Sequence, residues 1–157
     1  MPSKDIKLTP QQAKPKIEYF CNYQERCQSE VKDKLYSYGL STDDVNELLY
    51  HVIKAGLVNE ERFAILFAGG KFRQKQWGRN KIKRELKFRQ ISDYNIKKGL
   101  AEIDDEAYMI TLEKLAEKYY RTLKDKLGFM KIQKTTKFLT GRGYEYDLIN
   151  DVLKKLS

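Results

Sequence analysis

Residues 86–96 read LKFRQISDYNI, and the pattern of this stretch returns at residues 35–45, LYSYGLSTDDV, and at residues 139–149, LTGRGYEYDLI. Each copy has leucine first, an apolar residue at the sixth position and another at the eleventh. In the first two copies a serine follows the sixth position, a residue type that caps helix N-termini. The pattern predicts the end of one helix, a short turn and the start of the next, repeated about every 50 residues.

A second pair of similar segments supports this repeat. NEERF at 59–63 and DDEAY at 104–108 each begin with a capping residue, continue with acidic residues that suit the positive end of a helix dipole, and finish on an aromatic residue. Units this small bury their apolar faces only by stacking on neighbours. We predict an all-α fold, a tandem array of three three-helix repeat units, elongated and curved. The expected bounds are a flexible tail at 1–8 and repeat units at 9–57, 58–103 and 104–157.

The composition is typical of a helical protein. Hydrophobic residues make up 41% of the 157, enough for a core, whereas 9 Gly and 3 Pro are few for a fold rich in β-turns. Cys21 and Cys27, six residues apart on a predicted helix, would point in different directions and could not bridge. Two reduced thiols, no signal-like N-terminus and no long apolar run predict a cytoplasmic protein without a membrane span. The elongated array is expected to be a monomer.

Nothing in the sequence indicates a catalytic site. His51 is the chain's one histidine and lies among apolar residues of a predicted helix, where packing is a commoner role than catalysis. The glycines before Lys71 lack the spacing of a phosphate-binding loop. The acidic residues at 104–106 stand at a predicted helix start, where the helix dipole accounts for them. We therefore predict no enzymatic activity, no cofactor and no metal site.

Positive charge is concentrated in the second part of the chain. The net charge is +9, and 22 of the 31 Lys and Arg residues lie in residues 71–157. The densest stretch is KFRQKQWGRNKIKRELKFRQI at 71–91, which contains one acidic residue, Glu85. This asymmetry favours a polyanionic or acidic partner over a merely solvated basic surface. The candidate binding residues are Lys71, Arg73, Lys75, Trp77, Arg79, Lys81, Lys83, Arg84, Lys87, Arg89, Lys131, Lys134, Lys137 and Arg142.

On a helical wheel, residues 79–90 place Ile82 and Leu86 on an apolar stripe and spread the basic residues over the outward side. Phe88 falls opposite the stripe, so it either packs against a neighbouring unit or is an exposed aromatic residue at a contact surface. Trp77, just before this helix, either wedges the junction between units one and two or offers a stacking or anchoring ring. The sequence leaves both choices open.

One ordered set of motifs runs through the second and third units. It consists of Glu60-Glu61-Arg62-Phe63-Ala64, Lys71-Phe72-Arg73, Trp77-Gly78-x3-Ile82-x3-Leu86-x4-Ile91-Ser92 and Lys137-Phe138-Leu139-x3-Gly143-Tyr144. Over residues 17–156, this order and spacing resembles the RecX family of bacterial recombinase regulators. Pro15 in the first helix and the less basic first unit depart from the family pattern, which leaves the role of that unit open.

The resemblance implies a fold of tandem three-helix units and a regulatory function. It implies that the chain binds RecA in the groove of the RecA–DNA filament and inhibits strand exchange and ATP hydrolysis in DNA repair, recombination and the SOS response. Direct contact with DNA is part of the same expectation. Two other functions fit the charge: a DNA-binding helical repeat protein that acts without RecA, and a structural adaptor for an acidic protein.

The wheel makes a prediction about stability. Leu86→Ala should lower the free energy of unfolding by roughly 2–5 kcal/mol, because it leaves a cavity in the core. Denaturant unfolding of the variant and the unchanged protein measures this difference. A loss below about 1 kcal/mol would show that the wheel has the wrong phase.

Overall fold

The computed structural model describes residues 7–157, and this part of the chain folds into nine α-helices and no strands. A π-helical segment, Lys71–Lys75, continues the fourth helix. The predicted all-α class is therefore confirmed. The helices are α1 Pro10–Tyr23, α2 Gln28–Ser37, α3 Thr42–Lys54, α4 Glu60–Gly70, α5 Arg79–Phe88, α6 Asp93–Ala101, α7 Asp105–Thr122, α8 Gly128–Gly141 and α9 Tyr146–Leu156.

Side-chain caps begin the helices at the positions that the repeats suggest. Asn59 accepts a hydrogen bond from the backbone N–H of Arg62, and Asp104 accepts one from that of Ala107, each at 2.9 Å. Ser41 and Ser92 cap α3 and α6 in the same way. Each such bond satisfies an N–H group that has no partner within its own helix. The segments that look alike in sequence thus perform the same local task.

The apolar residues form two cores rather than one per unit. Helices α1–α3 enclose the first, which includes Ile17 and Leu35, whereas α4–α9 share the second, which includes Leu86 and Leu139. The three leucines that open the repeated stretch are fully buried. Units two and three therefore behave as one packed body, and the first unit has a hydrophobic core of its own.

The first unit meets the second mainly through polar groups. The backbone N–H of Gln28 donates to Glu60 Oε2 at 2.9 Å, and the hydroxyl of Ser29 donates to the carbonyl oxygen of Arg89 at 3.0 Å. Two apolar residues also cross the boundary, because Cys27 is buried in the second core and Val58 in the first. Such a boundary resembles a contact between domains more than the interior of one.

The sequence analysis placed both cysteines on one helix, and the structure shows that this is wrong. Cys21 lies in α1, the helix ends before Gln24, and Cys27 is the N-cap residue of α2. Both are buried free thiols. Burial raises the pKa of Cys21 to about 11, so its thiol is neutral at physiological pH.

Units two and three are joined where two glycines cross. Gly78 donates its N–H to the carbonyl oxygen of Arg142 at 2.8 Å, and Asn80 donates to that of Gly143 at 2.9 Å. A Cβ atom on Gly78 would lie 2.4 Å from the carbonyl group of Gly143, and one on Gly143 would lie 2.4 Å from the Cβ of Lys81. Gly143 also has a φ of +100°, which disfavours other residues. Only glycines allow the two backbones to come this close.

Of the predicted flexible tail at 1–8, residues 1–6 lie outside the described residues. Leu8 is held in place, because its N–H donates to the carbonyl oxygen of Tyr38 at 2.9 Å and its side chain packs on the first core. No helix within residues 7–157 combines the length and the apolar character needed to cross a membrane. The elongated and curved outline and the exact unit bounds stay predictions.

The glycine crossing predicts a sharp difference between two substitutions. Gly78→Ala should lower the free energy of unfolding by about 2 kcal/mol or more, because its methyl group would meet backbone atoms that cannot move aside. Gly141→Ala is the matched control: a Cβ there meets no atom within 4 Å, so it should be neutral or stabilise by about 0.5–1 kcal/mol. Urea unfolding measures both, and equal effects would contradict the close approach.

Candidate cationic interface

The basic segment begins with a change of helix type. The chain leaves α4 through the π-helical turn 71–75, and Gln76 then adopts the left-handed conformation with a φ of +56°. This reversal places Trp77 between two lysines: Lys71 Nζ lies 5.1 Å and Lys81 Nζ 4.6 Å from the centroid of its ring. Phe67 contacts the indole edge-on at 6.4 Å. The ring packs against the second core, and two lysine ammonium groups lie within cation–π distance of it.

Helix α5 presents charge as the wheel predicts. Ile82 and Leu86 are fully buried, and Lys83, Arg84 and Lys87 are exposed. Phe88 is 83% exposed, so the idea that it packs against a neighbouring unit is wrong, and it is an exposed aromatic residue beside the basic side chains. The Phe88 ring is therefore not part of either core.

A groove of about 700 Å³ lies between the outward side of α5, helix α6 and the start of α7. Its apolar floor includes Ile96 and Leu100. The charged lining residues are Arg79, Lys83, Lys87, Lys97, Asp93 and Asp105. Lysines from two helices thus face one depression, and the only short contact that Lys87 makes with a carboxylate among residues 7–157 is one of 3.8 Å to Asp93. The arrangement suits an anionic ligand.

Lys97 is a groove residue that the sequence analysis missed. It lies on α6, outside the dense basic run, and only the packing of α6 beside α5 brings it to Lys83 and Lys87. Its position directly after the buried Ile96 was the available signal, because it makes Lys97 an exposed residue at the edge of the helix's buried face.

Arg79 was predicted to face a partner, but the structure places it inside a network between units two and three. Its Nη1 lies 2.9 Å from Glu145 Oε2 and its Nη2 lies 2.8 Å from Asp105 Oδ1. The guanidinium lies 3.7 Å from the ring centroid of Tyr108, whose hydroxyl accepts the N–H of Arg79 and donates to Glu145. With these partners, Arg79 shapes the wall of the groove rather than offering charge to it.

Arg89 is likewise engaged in internal contacts, at the boundary between units one and two. It lies over the ring of Phe67, with its guanidinium carbon 4.7 Å from the centroid, and its Nη1 is 3.2 Å from a carboxylate oxygen of Glu85. A second carboxylate, that of Glu30 in unit one, lies 3.9 Å away. Earlier in the segment, Arg73 and Lys75 are exposed on the π-helical turn.

The predicted cations of the third unit are divided between internal contacts and the surface. Lys134 donates to Asp125 at 2.8 Å, a bond that lowers the pKa of that carboxyl group. Lys131 lies 4.3 Å from the ring centroid of Tyr120. Arg142 donates to the carbonyl oxygen of Lys75 at 3.0 Å and so ties unit three to the π-helical turn. Lys137 is exposed.

The chain's one histidine makes a contact between two helices of the first unit. His51 Nε2 lies 2.7 Å from Glu18 Oε2, a contact that links α3 to α1. Within residues 7–157, no three His, Cys, Asp or Glu side chains come together as a metal site would require. The groove beside α5 therefore stands as the best candidate site on units two and three.

A stack of three-helix units with a lysine-lined groove defines the class, a helical repeat protein with a cationic face. Two family models match the chain: the second three-helix domain of RecX at residues 59–100 and the third at residues 106–153. The chain belongs to the RecX family.

The relatives and solved structures agree with this assignment. The chain is 32% identical to the regulatory protein RecX of Legionella pneumophila (strain Corby) over 127 residues, which cover 81% of this chain and 83% of the relative. It is 32% identical over 134 residues to that of Clostridium perfringens (strain SM101 / Type A), where they cover 84% of this chain but 62% of the longer relative. The crystal structure of RecX from Lactobacillus salivarius has the same fold, with a TM-score of 0.84 at 24% identity, covering 94% of this chain and 96% of that one.

The contact between Tyr144 of unit three and Gln76 of unit two predicts that the free energy of unfolding depends on pH. Burial raises the pKa of Tyr144 to about 12, and its hydroxyl donates to the carbonyl oxygen of Gln76 at 2.9 Å. Because this pKa is higher in the folded chain than the ordinary value of about 10, the stabilisation is complete below about pH 10. It is lost as the pH rises toward 12, by about 1.4 kcal/mol per pH unit for one proton.

Tyr144→Phe isolates this effect, because the two proteins differ in this hydroxyl group alone. The variant should lose about 1 kcal/mol at neutral pH with its hydrogen bond, yet its free energy of unfolding should fall less steeply above about pH 10. Denaturant unfolding at a series of alkaline pH values gives both slopes. Parallel slopes would contradict the raised pKa.

Proposed function

We propose that this chain is a non-enzymatic regulator that binds the RecA–DNA filament and inhibits its recombinase and ATPase activities. It would act as a monomer in the cytoplasm. The observation that carries the proposal is the groove in which Lys83, Lys87 and Lys97 converge, in a chain of the RecX family. The relatives are named regulatory proteins, which supports a controlling role rather than a catalytic one.

The electrostatics of the groove support a polyanion as the partner. Lys83 and Lys87 are four residues apart on one helix and repel each other, at a cost of a few tenths of a kcal/mol. Binding of phosphates or carboxylates between the two lysines would offset this repulsion, because the anion attracts both. Phosphate binding releases counterions, so its affinity falls steeply with salt.

The surroundings of the groove support a composite partner of protein and DNA. The lysines are suited to the phosphates of the bound DNA, and Phe88, 83% exposed on the same helix, is suited to an apolar contact with a protein. Bare duplex DNA would engage the lysines alone, because its base faces are stacked inside the helix. An acidic protein without DNA would engage both the lysines and Phe88. It would release far fewer counterions than DNA does, so its binding would depend less on salt.

Charge reversal in the groove tests the proposal. Lys83→Glu combined with Lys87→Glu should raise the concentration needed for half-maximal inhibition of RecA ATP hydrolysis by about tenfold or more, since each change turns an attraction into a repulsion. Helicity, followed by circular dichroism, should be unchanged because both side chains are exposed.

The matched control is Lys114→Glu with Lys118→Glu. These lysines are also exposed and four residues apart on one helix, α7, and they carry the same change in net charge away from the groove. The control should inhibit RecA as the unchanged protein does. If both pairs weaken inhibition equally, net charge rather than the groove is responsible.

A salt titration separates this function from its two alternatives. Binding should be strongest to the RecA–DNA filament, weaker to DNA alone and to RecA alone, and should weaken as salt increases. Equal affinity for bare DNA and for the filament would favour a DNA-binding protein that acts without RecA. Salt-insensitive binding without any DNA would favour an adaptor for an acidic protein.

A further inference from the structure

The first unit has a groove of its own. Its lining is positively charged, although that part of the chain has a slight excess of acidic residues. Residues 1–70 contain 9 Lys and Arg against 10 Asp and Glu. Yet a groove of about 770 Å³ between α1 and α2 is lined without a single acidic residue among those described. Its lining consists of Pro15, Lys16, Tyr19, Phe20, Tyr23, Arg26, Lys34 and Tyr38.

Two of the aromatic rings in this groove have no role in the core. Tyr19 and Tyr23 are 69% and 70% exposed, one turn apart on α1, with ring centroids 6.1 Å apart and planes 32° from parallel. Folding does not require them to be aromatic, because helix formation favours smaller or straight-chain residues at exposed positions. Two neighbouring exposed rings offer flat surfaces for planar groups of a ligand.

The cations of the groove are arranged around the aromatic rings. The guanidinium carbon of Arg26 lies 3.7 Å from the centroid of Phe20, and its Nε donates to the carbonyl oxygen of the same residue at 3.0 Å. Lys34 Nζ lies 5.4 Å from the Phe20 centroid and 5.9 Å from that of Tyr38. Burial raises the pKa of Tyr38, so its hydroxyl adds no negative charge. Positive charge and ring faces thus occur together in one depression.

We propose that this groove binds single-stranded nucleic acid, with bases stacked on Tyr19 and Tyr23 and phosphates held by Lys16, Arg26 and Lys34. Rings beside a row of cations are the combination that binds single strands without sequence preference. A duplex keeps its base faces stacked inside and would offer the rings nothing. An acidic peptide would satisfy the cations but has few planar groups for the exposed tyrosine faces.

This site is separate from the groove proposed to bind the RecA–DNA filament. It lies on the first unit, which has its own core, and its residues take no part in the second groove. The two proposals can therefore be tested separately, and RecA is left out of the experiment below.

The experiment compares two strands that differ only in their bases. Fluorescence anisotropy would follow binding of a labelled oligothymidylate and of an abasic strand with the same number of phosphates. The full chain would carry Lys83→Glu and Lys87→Glu, which remove attraction by the other groove. We expect the oligothymidylate to bind about tenfold more tightly or better, because stacking strengthens binding by that order for each base.

Tyrosine variants in the same background identify the rings. Tyr19→Ala with Tyr23→Ala should abolish the difference between the two strands, whereas Tyr19→Phe with Tyr23→Phe should keep it because the rings remain. Tyr50→Ala is the matched control, since Tyr50 is 62% exposed on α3 with Lys54 Nζ 5.7 Å from its centroid, outside this groove. It should leave the difference unchanged.

Three results would overturn the proposal. One is equal affinity for the normal and the abasic strand. Another is an unchanged difference in the Tyr19→Ala, Tyr23→Ala variant. The third is an acidic, tyrosine-containing peptide that displaces the oligothymidylate and binds more tightly than it does, which would assign the groove to a protein. None of these results depends on inhibition of RecA, so they leave the function proposed above untouched.

Discussion

The first turn of α5 depends on the third unit for its hydrogen-bond acceptors. No side chain of the segment caps this helix. The N–H groups of residues 78–80 instead donate to the carbonyl oxygen of Arg142, the hydroxyl of Tyr108 and the carbonyl oxygen of Gly143. Buried N–H groups without acceptors are costly, so the helix that carries the basic residues is set in place by its neighbour. The crossing of Gly78 and Gly143 makes this possible.

This constraint also explains how the charge is divided. Cations near the crossing, such as Arg79 and Arg142, are engaged with carboxylates, rings or carbonyl groups and keep the two units together. Cations one or two turns along α5, such as Lys83 and Lys87, point away from the crossing and line the groove. A single run of basic sequence thus contributes both to the packing of units two and three and to the proposed binding groove, and position along the helix decides which.

The sequence was sufficient for the fold, because the repeated Leu86 stretch and its caps report local rules of burial and helix initiation. It was less informative about the site. A helical wheel shows that Lys83 points outward, but not which helix lies opposite, so Lys97 was missed. Arg79 was counted among the candidate binding residues because it belongs to the basic run. Its carboxylate partner Glu145 is distant in sequence and reaches it only through packing of the third unit. Spacing predicts helix faces, whereas side-chain partners depend on tertiary contacts.

The polar boundary between the first unit and units two and three affects how the two proposed grooves could bind one long ligand. Polar contacts such as Gln28 to Glu60 are exchanged for water at little cost, unlike the apolar packing that fuses units two and three. The two grooves proposed as binding sites thus lie on bodies with separate cores. A long polymer bound at one of these proposed sites would meet the other at a raised effective concentration, so two modest affinities would combine into avidity.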